Sequence, residues 1–397
     1  MKRYASLQAA AVFLFSYIGS VICLHSVGRE YSIIFLSVVV FLIFYLRSRR
    51  LGLLHYFGAT CAALIFYAIN FYYFKNLDVL VGPDEIRFND GFYNYIYSPF
   101  EYVAWAVGSI VDSKIVFSSS YPVLGVILYP LFSVSGPYDP QLMVLFNLSL
   151  LLAVVCFGLS SGYRWSVLLV LLSPQILYHA NIYAKDVLSL ALCCFAVYLF
   201  YRKNIFLFMA VLVLATALRP YSGVVVFIYI CVLNGYSKIL LYAAFFSLAF
   251  VMLFSGAAGV VNSILISQYL IVSPNPFSFK VGLEGYSYLY IEAWILLVAY
   301  TVVSFFTLVS RAVREKYLMM VSGLVIYASV MALIGSYSSD FYGLEYKAGS
   351  LSGNIVRKKI MMMPYVYVFL GVILLDIFRR ISLKFIARSN FRGYGRK

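Results

Sequence analysis

Polar and apolar positions along this chain fall into a simple rhythm: apolar runs, mostly shorter than two dozen residues, each closed by a charge or a turn residue. The runs lie at 6–24, 31–46, 53–74, 140–160, 165–182, 187–201, 205–218, 221–235, 239–256, 287–308, 317–336 and 364–378. A helix needs ~20 apolar residues to cross the hydrocarbon core of a bilayer. Backbone polar groups at that depth must be paired inside the chain, which leaves helices as the spanning elements. The pattern therefore predicts an all-α polytopic membrane protein of about twelve spans, a single membrane domain over 1–397 with no separate soluble domain. The first run follows Lys2 and Arg3, lacks a clear small-x-small cleavage site and leads straight into the second. It reads as a retained helix rather than a removed signal.

Two further apolar stretches do not fit as spans, and charge explains why. With both termini cytoplasmic, the cytoplasmic segments hold 19 of the 30 Lys and Arg residues and only Glu315 and Asp376 as acids. Basic residues collect on that side of a membrane. If 115–136 crossed, Arg202, Lys203, Arg311, Arg314, Lys316 and the basic tail 379–397 would change sides. That segment therefore reads as membrane-dipping or interfacial, broken by Pro122 and Pro130. FEYVAWAVGSIV, 100–111, reads as an amphipathic helix lying on the outer surface. Three long outer loops remain, 75–139, 257–286 and 337–363, with shorter outer turns at NIYAKD (181–186) and LRPYSG (218–223).

Composition narrows the function. The chain is 63% hydrophobic and 11% charged, far from the balance of a soluble domain. A net charge of +15 would suggest nucleic acid in a soluble protein. Here the bases follow membrane sidedness, so no nucleic-acid partner is expected. All six cysteines lie in apolar runs, which implies neither a disulfide framework nor a CxxC site. His25, His55 and His179 are too scattered to form a metal cluster. No Walker motif or GxGxxG loop is present, so a nucleotide bound in the cytosol is an unpromising input, and the chemistry is expected outside.

Thirteen of the fifteen acids fall on the outer side. The densest group is VGPDEIRFNDGFYN, 81–94, where Gly82-Pro83 and Asp90-Gly91 predict two turns and a segment folded back on itself. Asp84 and Glu85 are candidates for a general base or a substrate-positioning acid. The alternative is a turn cap or an ion pair with Arg87. SPQILYHANIYAKDVLSL, 173–190, is expected to bend at Ser173-Pro174 and emerge at His179, Asn181, Lys185 and Asp186. Asp186 suits a helix start. Lys185 stands where topology does not need a lysine, while a lone histidine such as His179 is ordinarily a packing residue. Arg219, held before Pro220, offers a planar fork suited to a lipid phosphate or pyrophosphate; a snorkelling arginine is the plainer account. Arg357, Lys358 and Lys359 stand on the outer side before the last span, against the usual sidedness, where an anionic ligand or a lipid headgroup would account for them.

In order and sidedness these pieces resemble the GT-C superfamily of polytopic glycosyltransferases. The match runs from about 75 to 225: the acid pair Asp84 and Glu85, the juxtamembrane Tyr121-Pro122, the SPQ bend at Ser173, the turn Lys185-Asp186 and the turn Arg219-Pro220. The chain is also similar to membrane polymerases of O-antigen or capsule. The resemblance implies a GT-C-like bundle in a bacterial cytoplasmic membrane, with juxtamembrane helices and an extracytoplasmic active site. It implies sugar transfer from a polyprenyl-phosphate or polyprenyl-pyrophosphate donor to a saccharide acceptor among membrane lipids, with Asp84 or Glu85 as the base. The departing phosphate would meet Arg219, Lys185 and Arg357 or Lys358, with Arg87 and His179 as further candidates for substrate or phosphate binding. Some members use a divalent metal, for which Asp84, Glu85 and Asp90 offer oxygens. Two spans more than the usual pattern precede the acid pair. The rival class is a transporter or flippase of lipid-linked saccharide, which calls for ionisable residues deep within spans.

Overall fold

The computed structural model describes residues 5–47, 52–80, 83–95, 98, 100–101, 103–105, 108, 121–160, 169–274, 287–341, 343–349 and 358–393. Among the described residues every regular element is a helix, and the protein is an all-α membrane protein. Among the described residues, seven helices are long and apolar enough to cross a membrane: Leu7–Ser26, Arg29–Leu46, Gln141–Leu159, Ser237–Val272, Leu289–Val309, Arg311–Asp340 and Lys359–Arg379. Three shorter apolar helices join them, Asp186–Tyr201, Ile205–Leu218 and Ser222–Leu233. The chain divides into two compact units, Met1–Val226 and Phe227–Lys397.

In the first unit α1 (Ala5–Ser26) and α2 (Arg29–Arg47) form a helical hairpin. Gly28, at φ 113, closes it with its N–H on the Cys23 carbonyl at 2.9 Å, a left-handed helix ending that glycine takes without strain. α3 (Leu53–Ala68) runs on through a wider π turn, Ile69–Tyr73, so the apolar run at 53–74 is continuously helical. α4 is Pro83–Tyr95 and α5 is Tyr121–Ser133. α6 (Gln141–Ser160) packs on α1 and α2.

The bend expected at Ser173 is a true chain break. Ser173 accepts the Ile176 N–H at 3.2 Å and caps a short new helix, α7 (Pro174–Ala180). A Ser cap followed by Pro is a strong helix start, because Pro lacks only an N–H that would be unpaired there anyway. α8 (Asp186–Tyr201), α9 (Ile205–Leu218) and α10 (Ser222–Leu233) follow. The expected span at 165–182 therefore ends in this break, and residues 161–168 lie outside the described part.

Two expectations about the first long loop are corrected. Residues 83–95 do not fold back through two turns; they form one helix that runs straight through Gly91. Pro83 at its first position and the acids Asp84 and Glu85 in its first turn favour a helix start. That outweighs the ~1 kcal/mol cost of one interior glycine. Nor do Pro122 and Pro130 break the next segment: Pro122 lies in the first turn of α5 and Pro130 near its end. Residues 109–120 and half of the surface helix expected at 100–111 lie outside the described part; the described residues of that helix, 100–101, 103–105 and 108, are helical.

In the second unit α11 (Ser237–Val272) is 36 residues long, more than one crossing needs. Gly256 breaks it at φ 63, ψ −163. A methyl placed on Gly259 would lie 2.8 Å from the Val251 side chain, although eight residues along a straight helix span ~12 Å. The chain thus doubles back at Gly256 into two arms, 237–255 and 257–272. The expected loop at 257–286 is accordingly helical over its first half. α12 (Ser287–Val309) and α13 (Arg311–Phe341) follow, and a 3-10 turn, Lys359–Met362, leads into α14 (Met363–Gly393). α11 packs chiefly against α13.

Candidate functional site

The site in the first unit is organised around the NIYAKD turn between α7 and α8. Hydrogen bonds from four residues hold this irregular backbone. Asn147 of α6 donates to the Ala184 carbonyl at 3.0 Å and the Ile182 carbonyl at 3.4 Å. The Tyr183 N–H reaches the Val79 carbonyl at 2.8 Å. Asn181 donates to Asn70 Oδ1 at 2.7 Å and to the Leu177 carbonyl at 2.8 Å. From the start of α2, Arg29 spreads its fork over the Phe74 carbonyl at 3.0 Å, the Lys75 carbonyl at 3.4 Å and Asn181 Oδ1 at 3.4 Å. Buried irregular backbone survives only when its polar groups are paired in this way.

This clamped turn presents Lys185 and Asp186. Lys185 is buried and occupies the cap position of α8, with no side-chain cap of its own. Asp186 is fully buried and meets Arg219 at 2.5 Å. Arg219 stands at the end of α9, one residue before Pro220, so the KD and RP turns converge. A carboxylate removed from water needs a charged partner, and Asp186 has it. Asp186 is thus the first residue of α8 rather than its cap, and its partner is Arg219.

α4 is joined to the same turn through Asn89. Tyr138 donates to Asn89 Oδ1 at 3.0 Å, and it shares a hydrogen bond with Tyr183 of the turn. Burial raises the Tyr138 phenol above its usual range, and the Asp139 and Asp90 carboxylates add to this, against the Tyr183 hydrogen bond, which lowers it. Tyr138 is therefore a neutral donor. Glu85 lies one helical turn before Asn89, on the same face, and is buried. Asp84 and Arg87 stand on α4, and their side chains lie outside the described residues. Glu85 is buried whereas Asp90 is exposed, so these two carboxylates do not converge. Among the described residues no group of three His, Cys, Asp or Glu side chains is placed to hold a metal ion.

His179 is enclosed and meets Tyr178 edge-on at 5.0 Å between ring centres, a packing arrangement. Gln175, on the same short helix, is also fully buried.

The remaining candidates belong to the second unit. Arg357 lies outside the described residues. Lys358 is half-buried, and its carbonyl accepts the Tyr327 hydroxyl at 2.6 Å. Lys359 departs from the expectation of an outward-facing base: it is fully enclosed and donates to the Ser273 carbonyl. Glu292 of α12 is buried within electrostatic range of that ammonium and accepts the Tyr367 hydroxyl.

Sequence reasoning passed over Arg29, Asn70, Asn89, Tyr138, Asn147 and Tyr183. Asn70 and Asn147 did carry a signal, because an amide inside an apolar run is costly unless something holds it. Tyr138 and Tyr183 carried none among 37 tyrosines. No protein-family model, no curated protein and no solved structure matches the chain.

Proposed function

We propose that the protein is a membrane glycosyltransferase or polymerase of surface polysaccharide, of GT-C type. It would use a polyprenyl-phosphate- or polyprenyl-pyrophosphate-linked donor on the extracytoplasmic face of a bacterial cytoplasmic membrane. One observation carries the reading. A buried acid, Glu85, shares a helical face with Asn89, which is tied through Tyr138 to the turn bearing Lys185 and the Asp186–Arg219 pair. An acid and two cations in one unit are the parts such a transfer needs.

In this reading an acceptor hydroxyl attacks the anomeric carbon and gives its proton to the Glu85 carboxylate. The C–O bond to the lipid phosphate breaks with its electron pair moving to the phosphate oxygen, and the configuration inverts. Lys185 and the Arg219 guanidinium meet the growing negative charge. A positioned donor of this kind is worth ~3–4 kcal/mol in a transition state. Asp186 then acts as a positioning residue that fixes the guanidinium plane. Activation resides in the donor, in keeping with the absence of a nucleotide motif from the sequence.

The test is transfer by purified protein in detergent micelles, supplied with a radiolabelled lipid-linked donor and a saccharide acceptor. New glycosidic product that disappears in Glu85→Gln supports the reading. A folded wild-type protein that makes none, while moving the lipid-linked saccharide across reconstituted vesicles, overturns it.

That second outcome has its own support. A transporter of lipid-linked saccharide calls for interrupted helices and ionisable groups within spans. The reversal at Gly256 and the buried Lys359 and Glu292 meet that description.

A further inference from the structure

The group around Lys359 has the make-up of a cation site. Its first oxygen is the Ser273 carbonyl, at the C-terminal end of the returning arm 257–272. Helix C-termini carry partial negative charge on carbonyls that have no helical partner. Its second contributor is Glu292, the carboxylate acting on the Lys359 ammonium. The Tyr367 hydroxyl, two helical turns beyond Lys359 on the same chain segment, donates to Glu292 and fixes that carboxylate. Lys359, Ser273 and Glu292 are all buried, and Lys359 has no exposed surface.

A main-chain carbonyl at a half-helix end and a carboxylate are hard oxygen ligands. In membrane bundles, broken helix ends of this kind coordinate monovalent cations. The returning arm is polar along its buried side, with Asn262, Ser263 and Ser267 enclosed as well. A lone lysine in such surroundings costs several kcal/mol, which the Ser273 carbonyl and the charge of Glu292 offset.

We propose that this is a monovalent-cation site of the second unit in which the Lys359 ammonium stands as a tethered cation, fastening the returning arm of α11 to the start of the last span. The charge belongs to the site and lysine supplies it covalently. A free cation of the Na+ class can then take its place when the ammonium is removed. This inference is independent of the transfer reaction proposed above.

The test is thermal unfolding of the full-length purified protein in detergent, titrated with NaCl, KCl or choline chloride. Lys359→Ala leaves the oxygens and opens the space. The expected result is a saturable rise of several degrees in its melting temperature with NaCl or KCl and none with choline chloride. The wild type should respond equally to all three salts. Lys359→Ala combined with Glu292→Gln should lose the selective response.

Lys359→Ala that melts identically in the three salts overturns the proposal. So does a Lys359→Ala that folds in none of them while Lys359→Met combined with Glu292→Gln folds, because the site then accepts no free cation. Failure of transfer activity has no bearing on these outcomes, and success here would not establish transfer.

Discussion

Asp186 and Arg219 form an ion pair at 2.5 Å, with the Asp186 side chain fully enclosed and 15% of the Arg219 side chain exposed. The pair joins two turns that lie 33 residues apart in the chain, and it sets what each substitution must do. Arg219→Ala strands a buried carboxylate, so a loss of about 3–5 kcal/mol is expected, and Asp186→Ala should cost as much. The double substitution Asp186→Leu with Arg219→Met removes both charges and should cost much less than the two losses added together. Unfolding of detergent-solubilised protein measures all three. Arg219→Lys separates structure from chemistry: it keeps the charge but lacks the planar fork. It should therefore stay folded while losing most polymer.

Glu85 and Asp84 are adjacent in sequence, and their positions lie about 100° apart around the helix axis. Glu85 shares its face with Asn89 and is buried. Glu85→Gln is expected to lower transfer by about 10²–10⁴-fold with membrane abundance unchanged. Asp84→Asn should leave product within a few-fold of wild type. The chain length and amount of surface polysaccharide, normalised to protein in the membrane fraction, decide between the two.

Asn70, Asn181 and Arg29 hold the site turn against α2 and the end of α3. Removing one partner leaves the other buried without its hydrogen bond, at about 1–3 kcal/mol. Asn70→Ala and Asn181→Ala are each expected to destabilise by that amount. Their double variant should be milder than the sum, with a coupling of about 0.5–3 kcal/mol. Thermal unfolding of the four proteins completes the cycle.

How much of this was legible in the sequence depended on what kind of physics each feature obeys. The all-α membrane class followed from apolar length alone, since little else can bury twenty apolar residues in a row. Ser173-Pro174 announced the helix start at α7 because capping is local chemistry. Glu85, Lys185 and Arg219 stood out because charge is rare in this chain. The Asp186–Arg219 pairing and the Tyr138 relay were not legible, since partners so far apart are chosen by packing. Lys359 misled for a related reason: hydropathy counts a lysine as surface, and its cage comes from α11, α12 and α14, whose meeting no local pattern encodes. α4 was misread because Gly91 looks like a turn signal, whereas a single interior glycine is tolerated when the helix start is strong.

Gly256 gives the sharpest test of the second unit. Its backbone, φ 63 and ψ −163, lies in a region open essentially to glycine alone. Gly256→Ala is expected to destabilise by about 1–3 kcal/mol. Gly259→Ala should also destabilise, because its methyl would fall 2.5 Å from Ser255 Cβ. Gly371→Ala is the control: it lies inside α14 with nothing within 4 Å of the added methyl, and helix propensity favours the change by ~1 kcal/mol. The reversal itself is open to direct chemistry. Two cysteines can be bridged only when their Cα atoms lie within ~7 Å. Residues 251 and 259 would be ~12 Å apart along an unbroken helix. In a background with the six native cysteines replaced, Val251→Cys with Gly259→Cys should therefore form an intramolecular disulfide under mild oxidant. Tandem mass spectrometry of the peptide spanning both positions would show it as a loss of two hydrogens with no fragmentation between the cysteines. A pair that stays reduced while a surface control pair oxidises would mean that α11 is one continuous span, and the returning arm would have to be abandoned.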